Sequence, residues 1–246
     1  MIVAVAGWRS VGVSTAALLL AAAAVAQGEQ AWLVEADPAG GVLAGRSVLL
    51  AGRPGEIAEL ALGRSPVEAL LASDPLLGGV RVVLGAPDPF AAWSSLANPR
   101  VGWIDGLRRL PGVVIVDAGS MRGGATPAWR LIDIADVVVM VATSDPVSVV
   151  STLAWCDAKG QSAPDVSGLL VEPRLLVVDA PGAVERLDAG SLTSALGARL
   201  VGWWRWEPPV VDAVLRGATL DHRRLARQQL TRAVVSTAAM LWGSAP

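Results

Sequence analysis

One cysteine, one histidine, one lysine, one phenylalanine and no tyrosine occur among 246 residues, and the scarcities narrow the chemistry. A lone Cys156 cannot close an internal disulfide, and with one cysteine and His222 as the sole histidine a zinc site or a Ser-His-Asp triad is close to excluded. Charged residues are only 17% and the formal net charge is −2, which argues against an electrostatic grip on nucleic acid by the whole protein. Apolar runs long enough to cross a bilayer are missing too. Ala16–Ala26 is the longest Ala/Leu stretch and falls short of the roughly 20 residues a span needs. A strand-like start without basic residues also fits a signal peptide poorly. The expectation is a cytoplasmic protein with this stretch as a buried helix.

What is abundant is apolar surface, 53% of residues, enough for a large core. Seven short apolar runs recur: Ile2–Ala6, Ala31–Glu35, Val80–Leu84, Val113–Asp117, Val137–Ala142, Arg174–Asp179 and Leu200–Trp204. They are near-continuous rather than alternating, as strands buried on both faces of a parallel sheet are. Helix signals separate them, including "SPVEALLA", "WIDGLRRL" and "DPVSVVSTLAWC". The pattern predicts an α/β fold, a doubly wound, mainly parallel sheet flanked by helices, in one domain over residues 1–246.

Ligands of such sheets sit beyond the carboxyl ends of the strands. The first strand runs into "GWRSVGVST", where Gly7, Gly12 and Ser14, followed by Thr15, match a phosphate-binding loop, GxxxxGK[ST]. Val13 stands where the lysine belongs. Glu35 and Asp37 follow the second strand in "LVEADPAGG", and Asp117 closes a later one in "VVIVDAGS". A carboxylate there can hold magnesium or orient a water, or it can simply cap a helix or loop amide. Three such acids at strand ends, in this order, favour the first reading.

On these motifs the chain resembles the MinD/ParA group of P-loop ATPases over nearly its full length, and within it the TadZ/CpaE branch. "WRSVGVST", "EADP" and "IVDAGS" are similar to that family's loop, DxDP strand end and later aspartate. "ADVVVMVATSDPVSV" and "VVDAVLRGATL" match further segments, and "GVRVVLGAPDPFAAW" with "LRRLPGVVIVD" is similar to TadZ/CpaE. The resemblance implies a P-loop NTPase-like fold and a homodimer that positions a partner; no cofactor is firmly implied, ATP with magnesium being the weakly held candidate. It implies nucleotide contacts from Gly7, Trp8, Arg9, Gly12, Val13, Ser14, Thr15 and Asp179. Glu35, Asp37 and Asp117 take the catalytic positions, and Ser14, Asp37 and Asp117 those of the metal.

The departures carry as much weight. Trp8 replaces the family's signature lysine, Val13 the phosphate-cradling one, Glu35 the first Asp of DxDP, and Asp179 an adenine-recognising Asn. The sole lysine, Lys159, lies far along the chain. A hydrogen bond to a charged group is worth ~1.5–3 kcal/mol, so the loss weakens triphosphate binding by about one to two orders of magnitude. The expectation is a non-catalytic or weakly catalytic scaffold for pilus or secretion machinery, division or partitioning. The alternative is a working ATP-dependent dimerisation switch that uses Arg9 or a partner's residue.

Ten tryptophans stand against the one phenylalanine. Trp204 or Trp206, in "GWWRWEPP", could line a base pocket, and burial in the core or a dimer contact is the expectation. A final helix starting at His222 is predicted to carry Arg223, Arg224, Arg227 and Arg232. DNA is one partner for such a face and plain solvation is the expectation. The apolar end of that helix reads as docked on the core rather than as a membrane anchor.

Overall fold

The computed structural model describes residues 1–9, 11–97, 102–121, 126–159, 171–179 and 185–243, with backbone alone at 158 and 159. Ser10, inside the glycine loop, lies outside the described residues.

All seven apolar runs form strands: β1 Ile2–Gly7, β2 Ala31–Glu35, β3 Arg81–Val83, β4 Val113–Ser120, β5 Val137–Thr143, β6 Arg174–Asp179 and β7 Leu200–Arg205. They make one parallel sheet in the order β3-β2-β4-β1-β5-β6-β7. Strands β2–β4 lie on one side of β1 and β5–β7 on the other. Connections therefore part at β1 and open a crevice at its carboxyl end, the place where open α/β sheets bind ligands.

The helices are α1 Val13–Ala26, α2 Leu43–Arg46, α3 Glu56–Ala61, α4 Pro89–Ala97, α5 Trp103–Gly106, α6 Trp129–Asp133, α7 Pro146–Lys159, α8 Ala189–Leu196, α9 Pro208–Leu215 and α10 Gln229–Trp242. Side chains alternate across the sheet. Val3, Val5, Leu33 and Ile115 pack on one face with α1, α9 and α10, while Ala4, Trp32, Val34 and Val116 pack on the other with α5 and α6. Every residue of α1 from Ala16 to Ala24 is buried, because the sheet, α9 and α10 enclose it. An apolar helix without a polar face is satisfied only in that position.

Three predicted helices change on folding. "SPVEALLA" forms a tighter 3₁₀ segment, Val67–Ala72, and "WIDGLRRL" breaks after α5 into a 3₁₀ turn, Leu107–Arg109. The final helix starts at Gln229, not His222. Turns such as His222 N–H to the Thr219 carbonyl and Leu225 N–H to the His222 carbonyl come before it. Glu207 accepts from Leu230 N–H at 3.2 Å and so sets the start of α10. Arg223, Arg224 and Arg227 therefore sit exposed on turns, and only Arg232 is on the helix.

Candidate functional site

The loop after β1 is built by its glycines. A Cβ on Gly7 would lie 2.8 Å from the Arg9 carbonyl oxygen and 2.9 Å from methyls of Val11 and Val13, so the chain can fold over this position only without a side chain. Gly12 has φ +86°, a left-handed conformation that favours glycine, and its carbonyl accepts the first α1 bond from Ala16 N–H at 2.9 Å. Met121 N–H donates to the Gly7 carbonyl at 2.8 Å and ties the loop to the end of β4. The N-terminus of α1 thus opens on the crevice with its first amides unpaired by helix bonds, the arrangement that attracts anions. Val13 does not contribute charge there. Its side chain is buried in the core on the α1 face.

Ser14 is half-buried beside Asp117, which is fully buried at the end of β4. One Asp117 oxygen, Oδ1, accepts from Gly119 N–H at 3.1 Å, and the other, Oδ2, has no hydrogen-bond partner. Burial pushes this carboxyl up to about 7. Ser14 and the Gly119 amide favour its charged form, and the nearby carboxylates of Asp37 and Glu35 oppose it. Asp37 accepts from Ala39 N–H at 2.8 Å and is itself raised by burial. It lies against Gly119, where an added Cβ would be 2.2 Å from its carboxylate and the backbone is already at φ +65°.

The third acid has a different role. Glu35 is buried, with Oε1 accepting from Val42 N–H at 2.6 Å and Leu43 N–H at 2.7 Å, and Oε2 from Gly85 N–H at 3.2 Å. Burial raises its carboxyl above the ordinary range, and these amides partly offset the shift. Both oxygens hold backbone, so Glu35 anchors α2 and the loop after β3. Asp179, at the end of β6, accepts from the Ser144 hydroxyl at 3.0 Å and from Arg186 at 3.4 Å.

Trp8 is half-buried on the sheet face opposite α1, and Arg9 is exposed. Trp204 is buried, its indole N–H donating to Thr237 Oγ1 of α10 at 2.9 Å, so it is a core residue. Trp206 packs beside it, and Val11, Thr15, Val178 and the two tryptophans leave a cavity of only about 10 Å³. A nucleobase has no room there in this arrangement. Sequence reasoning missed Arg46, at the end of α2. Its Nη1 donates to Thr15 Oγ1 at 3.1 Å, across the first turn of α1. No motif marks this arginine in the chain; only the fold brings it to the loop.

An aspartate with one buried, unpartnered oxygen beside a serine fits a hydrated magnesium ion whose remaining ligands are water and phosphate oxygens. Among the described residues no group of three or more His, Cys, Asp or Glu side chains could hold a metal ion, so an ion here fits as a companion of its phosphate. Such an ion supplies neutralisation of phosphoryl charge when bound.

Parallel sheet, glycine loop and acidic strand ends define a P-loop NTPase-like α/β fold. Among folds of that class, this one is the fold of the MinD/ParA ATPases. The structure superposes on the cell division ATPase MinD of Pyrococcus furiosus with a TM-score of 0.75 at 15% identity, covering 99% of each chain. It is also similar to a ParA family ATPase from Chlorobium tepidum (TM-score 0.68, 14% identity, 98% of each chain). A third similar structure is the MinC:MinD cell division complex of Aquifex aeolicus (TM-score 0.67, 17% identity, 100% of this chain and 96% of the other). No protein-family model matches the sequence, and no curated protein sequence does.

Proposed function

We propose that the chain is a MinD/ParA-type scaffold of the TadZ/CpaE kind, with a degenerate nucleotide site, that dimerises and positions a protein partner. The observation that carries the reading is Val13. At the position where a P-loop needs a cation, an apolar side chain is buried in the core, while the loop's two glycines, Gly7 and Gly12, are kept. Phosphoryl transfer is mostly electrostatic stabilisation, so a loop without its charge loses rate before it loses form. One solved structure of this fold is a MinC:MinD complex, which makes a protein partner the natural cargo for a scaffold reading.

The test is a titration of ATP and magnesium followed by the part of the tryptophan fluorescence that Trp8→Phe removes, with steady-state phosphate release measured alongside. Native protein is expected to bind ATP in the high micromolar range or weaker, with no sustained hydrolysis. Val13→Lys is expected to tighten binding by about ten- to a hundredfold. A melting curve on the variant checks that a buried lysine stem is tolerated. Sustained native hydrolysis that disappears in Asp117→Ala would establish the ATP switch instead.

A further inference from the structure

We propose that Arg46 is the phosphate-binding cation of this site, replacing from α2 the charge that the loop lacks at Val13. The inference rests on the degenerate-site reading above and deepens it. The ligand class is a nucleoside polyphosphate or another diphosphate-containing anion.

Arg46 is held in place from both ends of its short helix. Leu43, at the start of α2, is buried, and its amide, with that of Val42, is bound by Glu35 Oε1. Ser47, just after α2, is buried, and its hydroxyl donates to the Leu215 carbonyl at 2.7 Å. Between these anchors the Arg46 side chain reaches over the first turn of α1 to Thr15 Oγ1. Thr15 follows the loop, so the guanidinium lies at the side of the crevice where the α1 amides converge. Among the described residues its other N–H groups have no second acceptor, and a planar fork of donors matches phosphate oxygens. Ser14, the residue before Thr15 on the same turn, lies beside Asp117, whose Oδ2 is buried without a partner. A cation at Thr15 and an orphaned carboxylate oxygen at Ser14 suit a phosphate that arrives with magnesium.

The two departures at Glu35 and Val13 then belong together. A glutamate side chain is one methylene longer than aspartate, and the added reach lets it take two α2 amides. That contact commits both oxygens of a strand-end acid to backbone amides, and its result is an arginine placed over the first turn of α1.

The test is calorimetric titration of the full chain with magnesium–ATP, pyrophosphate and inorganic phosphate. Arg46→Gln keeps a donor for Thr15 but removes the charge, and Arg46→Lys keeps the charge. Native protein is expected to bind magnesium–ATP and pyrophosphate, Arg46→Gln to bind both at least about tenfold more weakly, and Arg46→Lys to stay within about threefold of native. The melting temperature of Arg46→Gln is expected to equal the native one, which separates loss of charge from loss of fold. Adding Val13→Lys to Arg46→Gln is expected to restore affinity. Equal affinity of native and Arg46→Gln for pyrophosphate overturns the proposal, as does absence of native binding to all three ligands. Sustained ATP hydrolysis by the native chain overturns the scaffold reading and leaves the Arg46 comparison standing.

Discussion

At the scale of single residues, Asp117 and Gly119 make the site measurable. In the unfolded chain the Asp117 carboxyl has an ordinary value near 4, and in the folded chain burial pushes it up to about 7. Below pH 4 it is protonated in both states and contributes nothing. As pH rises from 4 to 7 the folded chain keeps a proton that the unfolded chain has lost, so stability falls, and the cost is complete above 7. Asp117→Asn should remove this slope and stabilise the protein at pH 8 by roughly 2–4 kcal/mol. Melting curves of the two proteins between pH 5 and 8 check it; a parallel pair of curves refutes it. Gly119→Ala should destabilise by about 1–3 kcal/mol, since φ is +65° and the new methyl meets the Asp37 carboxylate. Urea unfolding of the variant measures that cost.

At the scale of elements, α1 and α2 divide the labour. Helix α1 is stabilised by burial alone, and Leu19→Ala within it should cost about 2–5 kcal/mol in chemical unfolding, because sheet, α9 and α10 leave little room to collapse. Helix α2 is four residues long, too short to stand by itself, and it depends on Glu35 at its start. Glu35→Asp withdraws the carboxylate by one methylene and leaves the part-buried Val42 amide and the buried Leu43 amide underpaired. It should cost about 1–3 kcal/mol and weaken pyrophosphate binding through Arg46. A variant as stable as native, with unchanged binding, would show that α2 is placed by Leu43 packing instead.

For the whole molecule, the helices that follow β3 and β5 begin at the same end of the sheet as the glycine loop. Both carry exposed apolar side chains there: Phe90 and Trp93 on α4, Val147 and Val150 on α7. Isolated exposed side chains are ordinary, but large apolar groups around a ligand crevice suit a contact between subunits. The homodimer proposed above should therefore weaken at least about tenfold in Trp93→Glu combined with Val147→Glu, with the melting temperature unchanged. Sedimentation velocity over a concentration series reads the outcome. No helix among the described residues is long and apolar enough to cross a membrane.

The seven strands were legible because each is a local property: a β-branched apolar run between turn or helix signals becomes a strand whatever its neighbours. The loop glycines were legible for a similar reason, since Gly7 and Gly12 answer to crowding and handedness within a few residues. Helix ends proved less so, because the start of α10 depends on Glu207, more than twenty positions earlier. The chemistry of the acids was not legible at all. Glu35, Asp37 and Asp117 look alike at their strand ends, yet one holds two α2 amides, one leans on Gly119, and one keeps an oxygen unpartnered. Arg46 bears no motif and meets Thr15 only after α2 folds back on α1. The sequence by itself determined the strands, the loop glycines and the missing lysines. The tertiary structure alone decided where charge sits around the loop, because pairing a buried charge depends on which distant segments the sheet order brings together.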